Sequence, residues 1–366
     1  MRMLQTLTFF ICSTLASRGL AAELEWVRVA DDQHGFTLEK SGRAFVPWGF
    51  NYDHDRNGRL IEDYWDKQWA TIEEDFREMK RLGANIVRIH LQFARFMRSA
   101  EEPNPHALIQ LARLVKLAEA TGLYLDLTGL GCYHKQDVPR WYDRLAEPQR
   151  WDSQSRFWEA VSARCAESSA IFCYDLMNEP VVAGGSRKRD DWLGPDLAGN
   201  HFVQFIARET KGRPRDVIAR QWTRRLVTAV RKHDRRHLIT VGLVPWSLDR
   251  PGLTSGFVPE KVSGELDLIA VHLYPEKGKL RQAIETLKGF AAVGKPVVIE
   301  ETFPLKCDAT ELARFIDESK KYAAGWIGFY WGKTPEECRK SKTIRDAIVL
   351  SWLESFQRKG KDILPE

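Results

Sequence analysis

Two stretches of the sequence carry carboxylates at the ends of apolar runs. Residues 171–177 lead into Asn178, Glu179 and Pro180, and residues 296–299 lead into Glu300 and Glu301. A carboxyl group at the tip of a buried strand is held rigidly by that strand. Two such groups facing each other are what breaking a glycosidic bond requires: one protonated, to donate to the leaving oxygen, and one ionised, to attack the anomeric carbon. Other apolar runs also end in reactive or polar residues. Asn51 and Asp53 follow residues 45–50, Arg88 and His90 sit within 85–91, His272 and Tyr274 close 268–273, and Trp331 closes 326–331. Stability alone gives no reason for polar groups at so many of these positions.

The runs themselves number eight: 45–50, 85–91, 123–127, 171–177, 238–243, 268–273, 296–301 and 326–331. Most are nearly continuous in apolar residues, as a parallel sheet covered on both faces demands. Helical spacing fills most of the gaps. Trp69, Ile72, Phe76, Met79 and Leu82 recur every three or four residues, as do Leu108, Leu111, Val115 and Ala118, and Asp308 with Glu311 offers an N-terminal cap. This alternation predicts a single-domain (β/α)8 TIM barrel, whose strand ends open into one mouth. Only the connection between 238–243 and 268–273 lacks a clear helix. An open, doubly wound sheet is disfavoured because "GFNYDHDRNG", not a Gly-x-Gly-x-x-Gly turn, follows the first run. Alternation along a strand groups Arg88 with Ile86 and His90, Glu179 with Met177, Tyr274 with His272, and Glu301 with Ile299. On that basis Glu301 is chosen over Glu300 as the second reacting carboxylate, and Glu300 becomes a supporting group that needs a partner if buried.

"DLMNEP" and "PVVIEETF", taken with "NIVRIH", "VHLY" and "GFYWG", resemble the cellulase-like family five of glycoside hydrolases, within the clan of retaining (β/α)8 enzymes. The resemblance spans about residues 45–331. It implies that Glu179 is the acid/base and Glu301 the nucleophile, that Asn178 meets the sugar 2-hydroxyl, and that Arg88, His272, Tyr274 and Trp331 support the site with Asn51 and His90. Arg88 and a hydrogen bond from Tyr274 are expected to keep the Glu301 pKa low. Two features depart from the family pattern. Thr128 stands where a strand-three histidine is usual, leaving His134 as the candidate to reach back, and Glu301 is followed by Thr302 and Phe303 rather than by an aromatic-glycine pair. The chain therefore reads as an outlying member, whose substrate would be an oligo- or polysaccharide of glucan, mannan or related type.

Other readings carry less. His90 and His272 could be metal ligands, but the first strand has no His-x-His, and neither metal nor cofactor is expected. A carbohydrate-binding barrel without activity is the alternative from another class. Basic clusters at 187–189 and 231–237 are broken or followed by Asp, which does not fit a nucleic-acid surface. Of 13 tryptophans, Trp48, Trp141, Trp192, Trp246 and Trp331 fall in loops expected at the mouth, where indole faces can stack on pyranose rings, although for each except Trp331 ordinary packing is the expected role. Residues 1–22 have a basic start, an apolar stretch and small residues at the end, the pattern of an export signal preceding a catalytic domain at 23–366. A secreted or periplasmic protein with no membrane association after cleavage is expected. Losing Arg2 and Arg18 with that segment lowers the formal charge of +5 by two. In an oxidising compartment Cys307 and Cys338 are expected to form a disulfide, and Cys165 and Cys173 to pack as apolar residues.

Overall fold

The computed structural model describes residues 23–184, 188–249 and 254–365. The expected export signal at 1–22 lies outside them. Eight parallel strands close into a barrel in sequence order: β1 (Trp48–Tyr52), β2 (Ile86–Gln92), β3 (Tyr124–Gly131), β4 (Ile171–Asn178), β5 (Leu238–Leu243), β6 (Ile269–His272), β7 (Val297–Glu301) and β8 (Gly325–Phe329). Closure comes from β8 pairing with β1, Trp326 opposite Trp48 and Phe329 opposite Asn51. A helix follows each strand: α1 (Trp69–Arg81), α2 (Pro105–Thr121), α3 (Glu147–Cys165), α4 (Arg215–Arg231), α5 (Pro259–Val262), α6 (Leu280–Ala291), α7 (Ala309–Ser319) and α8 (Ile344–Ile363). The connection without a helical pattern in the sequence holds α5, a single turn too short to show periodicity.

Strand residues divide between two environments. Outward-facing Val87, Ile89, Leu125, Leu127, Val241 and Ile299 pack with helix residues such as Ile72, Phe76, Leu111, Phe157, Leu226 and Phe315. Burial of each such side chain contributes about 1.5–3 kcal/mol. At the N-terminal end of the barrel, Ile86, Tyr124, Cys173, Leu238, Val298 and Ile327 form a separate apolar layer. Three short antiparallel strands, Val27–Val29, Phe36–Leu38 and Ala44–Phe45, close it from below, with Phe36 edge-on to Phe172 and Phe45 edge-on to Tyr124. The apolar layer plugs the barrel floor, so inward polar residues can collect only above it.

Several expectations change here. Trp48 starts β1 at the end remote from the mouth and stacks on Phe356 of α8, ring centroids 4.5 Å apart. Trp192 is buried between the guanidinium groups of Arg150 and Arg208, and Trp141 packs beside Phe93. These three pack, as expected of every tryptophan but Trp331; what changes is that Trp48 does not lie at the mouth. Cys307 and Cys338 are free thiols, like the other cysteines of the described residues. Cys338 is buried in the helix Pro335–Lys340, which Thr334 and Glu337 cap, while Cys307 packs against the apolar core ahead of α7, so each is held by its own surroundings.

Candidate active site

β4 brings Asp175, Asn178 and then Glu179 to the mouth. Glu179 has φ +46°, a left-handed backbone that residues with a Cβ seldom adopt, at a cost of about 1–3 kcal/mol. Contacts on both sides hold it there. Its N–H donates to Gly242 O at 3.0 Å, and its carbonyl accepts from Gln204 N at 3.3 Å. The chain turns outward at Glu179 itself. The barrel pairing of β4 ends at Asn178, and Pro180 opens a separate short strand, Pro180–Val182, that lies parallel to Gln204–Ala207 in the connection between β4 and α4.

Arg88 of β2 is fully buried and organises the polar groups above the plug. Its Nη1 donates to Asn51 Oδ1 (2.9 Å) and Glu301 Oε1 (2.7 Å), and its Nη2 to Asp175 Oδ2 (2.7 Å) and Asn178 Oδ1 (2.9 Å). Glu300 Oε2 lies 3.4 Å from the same Nη2. Space for this guanidinium depends on Gly242: a Cβ there would meet His272 Nε2 at 2.9 Å and Arg88 Nη2 at 3.2 Å. Asn51 is anchored in turn, its amide donating to the carbonyls of Glu300 and Gly328, both at 2.9 Å. Asn178 is tied outward as well, donating to Phe202 O at 3.1 Å.

His272 joins the two expected reacting groups. Its Nδ1 is 3.0 Å from Glu179 Oε1 and 3.5 Å from Glu301 Oε1, and its Nε2 is 3.3 Å from Glu300 Oε2. Burial opposes charge on the ring, but Glu301, Glu179 and Glu300 outweigh it and raise the His272 pKa to about 10. The ring is thus an imidazolium donating at both nitrogens. Tyr274 OH donates to Glu301 Oε2 at 2.6 Å. The Glu301 carboxyl nevertheless titrates above its usual value: burial pushes it up, His272 and Arg88 pull it down, and the adjacent Glu179 pushes it up again. The expectation of a low value left out desolvation.

The strand alternation meets a similar correction. Val298 lies in the inner layer and Ile299 in the outer one, so the inward position belongs to Glu300. Glu301 enters the site because the pairing of β6 with β7 shifts by a residue, from Val271 opposite Ile299 to His272 opposite Glu301. Both glutamates therefore contact Arg88.

His90 is buried and neutral, its pKa driven well below the usual range by burial, Arg88 and His272. Its Nε2 lies 3.2 Å from Asn51 Oδ1, and its Nδ1 meets the Tyr133 hydroxyl. Since Asn51 Oδ1 can only accept, Nε2 carries the proton and Tyr133 donates to Nδ1. Tyr133, not His134, fills the strand-three side of the site. His134 is drawn away by the turn Lys135–Asp137, its Nδ1 lying 3.4 Å from Asp137. Thr128 donates to Asp175 Oδ2 at 2.9 Å. Trp331 stacks on Phe329, which stacks on Tyr274, so an aromatic wall runs from Glu301 towards β8. On the other side, Glu179, Trp246, His272, Tyr274, Lys279 and Gln282 line a cavity of about 340 Å³.

Three site residues escaped the motif reading: Tyr133, Asp175 and Asp126. The signal for the last two was an acidic residue inside an apolar run, "YLDLT" and "YDLM". Neither Asp126 oxygen has a donor, nor does Glu300 Oε1, and these groups lie with Cys173 within 4.8 Å of one another. Burial and the charge of Glu300 raise the Asp126 carboxyl well above its usual range, while Arg88 and His272 outweigh burial at Glu300 and lower it. One proton held on Asp126 and shared with Glu300 satisfies both. Glu179, His272 and Glu301 also offer one atom each within 4.8 Å of one another, a spacing a metal ion could use.

Comparison with known proteins agrees with this fold. The family model described as cellulase (glycosyl hydrolase family 5) matches residues 40–335. No curated protein matches the chain. Among solved structures, the exo-β-1,4-mannosidase Op5Man5 from Opitutaceae bacterium strain TAV5 superposes with a TM-score of 0.66 at 16% identity, over 91% of this chain and 62% of that one. The chain thus spans about three fifths of that mannosidase. The endo-1,4-β-mannanase from Rhizomucor miehei gives a TM-score of 0.64 at 15% identity, over 92% and 100%. A GH5_18 protein from Streptomyces cattleya, solved with Manβ1-4GlcNAc, gives 0.59 at 16% identity, over 78% and 70%. The match over residues 40–335 makes this chain a member of glycosyl hydrolase family 5.

Proposed function

We propose that the protein is an exported, retaining β-glycoside hydrolase in which Glu301 is the nucleophile and Glu179 the acid/base. One observation carries this reading: both carboxylates meet the same His272 Nδ1, with ligand oxygens within 4.8 Å of each other. Retaining glycosidases hold their carboxyl groups about 5–5.5 Å apart, whereas inverting ones leave about 6.5–9.5 Å for a water. Glu301 attacks the anomeric carbon while Glu179 protonates the departing glycosidic oxygen. Glu179 then takes a proton from water as that water releases the sugar from Glu301. Asn178, turned inward by Arg88, stands beside this centre to meet the 2-hydroxyl. Trp331 offers a stacking face for the sugar whose bond is cleaved.

β-Mannosidic and β-glucosidic glycans form the proposed substrate class. The mannan-directed names of the structural neighbours put mannosides first in the order of testing. Export to the periplasm or medium rests on the basic-apolar-small pattern of residues 1–22.

The test is turnover of a panel of β-linked glycans and aryl glycosides, with the first-formed anomer followed by proton NMR. The β-anomer first is the expected result. An α-anomer first would overturn retention. Binding without turnover would support the non-catalytic barrel, and loss of activity on chelation with recovery on adding zinc would support the metal enzyme.

The acid limb of kcat/KM is expected above the ordinary carboxylate value of about 4.3. The nucleophile must be ionised, and its raised folded pKa means that activity fades as pH falls through that higher value. Tyr274→Phe removes a hydrogen bond that lowers this pKa, so the limb should move to still higher pH. A pH profile in which the limb stays in place would show that the phenol does not stabilise the ionised form.

A further inference from the structure

The loop after β1 holds two aspartates whose oxygens are used differently. Asp55 Oδ1 accepts from the backbone N–H groups of Asn57 (2.8 Å) and Arg59 (3.0 Å), and Oδ2 from Arg59 Nε (2.8 Å), so both oxygens fold the loop. Asp53 is more deeply buried, at 4% exposure, yet only its Oδ2 has a partner, His54 Nδ1 at 2.8 Å. Its Oδ1 is buried with none. A buried acceptor without a donor costs about 1–3 kcal/mol, so one that persists needs a reason.

The surroundings supply one. Asp53 lies two residues past Asn51, the anchor of Arg88, and its charge adds to burial in raising the phenols of both Tyr133 and Tyr274. It therefore faces the same mouth as His90 and Glu301. The His54 ring sits 6.4 Å from that of Trp331, and Arg56 N–H donates to Trp331 O at 3.2 Å, which ties the loop to the end of β8. Burial alone would lower the His54 imidazole, but Asp53 and Asp55 more than offset it, so Nδ1 donates to Asp53 Oδ2 and Oδ1 is left as the free acceptor. Trp331 Nε1 is a second buried group without a partner. A carboxylate acceptor and an indole donor, both buried and without a partner among the described residues, thus stand just past the ends of β1 and β8. The cavity that Glu179 lines with Trp246 opens instead at β5 and β6, across the barrel. With Glu179 as the acid, that cavity receives the leaving group, and the β1–β8 side receives the sugar that becomes attached to Glu301.

We propose that Asp53 is a specificity-determining residue: its Oδ1 accepts a hydrogen bond from one hydroxyl of the neutral sugar stacked on Trp331. The proposal rests on the hydrolase reading above and extends it to recognition. A negative group at this point also disfavours a sugar that carries a carboxylate.

The test is a double-mutant cycle between protein and substrate. Wild type and Asp53→Asn are assayed on the best aryl glycoside of the panel and on its monodeoxy analogues, with thermal unfolding run on both proteins. Asp53→Asn is expected to lower kcat/KM on the intact glycoside about 10- to 100-fold, the range for a hydrogen bond to a charged group. One deoxy analogue should show the same loss with wild type and no further loss with the variant. If every analogue loses the same factor with both proteins, or if the variant matches wild type on the intact glycoside, the assignment of Asp53 is overturned while the hydrolase reading stands. A wild type inactive on every glycoside overturns the hydrolase reading and this one with it.

Discussion

On the proposed mechanism a Glu301→Gln protein is expected to lose about four orders of magnitude or more in turnover, because no covalent intermediate could form without the attacking carboxylate. The matching Glu179→Gln change should behave differently with different leaving groups. On a natural glycan, loss of proton donation should lower the rate about 10²- to 10⁴-fold. On a dinitrophenyl glycoside, whose leaving group departs without a proton, bond cleavage should stay close to wild type and a burst should appear as the glycosyl-enzyme accumulates. Initial rates of both variants on both substrates give four measurements. A burst in Glu301→Gln, or equal losses for Glu179→Gln on both substrates, would exchange or abolish the assigned roles. Glutamine keeps the shape of each side chain, but Arg88 and Tyr274 donate to different oxygens of Glu301, so the single amide oxygen left by Glu301→Gln retains an acceptor for one of them only.

The second large effect concerns stability. Replacing Arg88 with Met should lower the unfolding free energy by about 3–5 kcal/mol, the range for removing one partner of a buried ion pair. The size follows from what is left behind. Glu301, Asp175 and Glu300 all lie within 3.4 Å of this guanidinium, and without it they repel one another in a site with little water. Arg88→Lys should recover only part of the loss, since an ammonium cannot reach both Asn51 and Asn178 while bridging Glu301 and Asp175. Urea unfolding of the three proteins at neutral pH measures this. A loss below about 1 kcal/mol for Arg88→Met would mean that the carboxylates take up protons and so replace the cation.

Strand ends were legible in the sequence because apolar runs are long and the residues closing them are conspicuous. Arg88, Asn178, Glu179, His272, Tyr274 and Glu301 come together as their positions on the runs implied. Choosing between Glu300 and Glu301 was not possible by alternation, because a register shift near His272 changes which residue turns inward, and such shifts leave no mark in composition. Asp126 and Asp175 were missed because a carboxylate inside an apolar run is legible only when its partners, Glu300 and Arg88, are known to be near. His134 was a reasonable substitute for the absent histidine until the turn Lys135–Asp137 carried it away and left Tyr133 beside His90. Trp48 shows the limit of reading tryptophans by type: its indole meets Phe356, a contact with α8 at the far end of the sequence.

The left-handed backbone of Glu179 sets fold and chemistry against each other at one residue. Glycine adopts that conformation without a steric penalty, so a chain selected only for how firmly it folds would place glycine at 179. The contacts from Gly242 and Gln204 impose the conformation regardless of the side chain, so the scaffold bears the cost whether or not a carboxylate is present. A descendant that lost catalysis would therefore be free to relax this position and become sturdier. Identity at 179 thus becomes a marker of whether a relative sharing this backbone is still under selection for turnover.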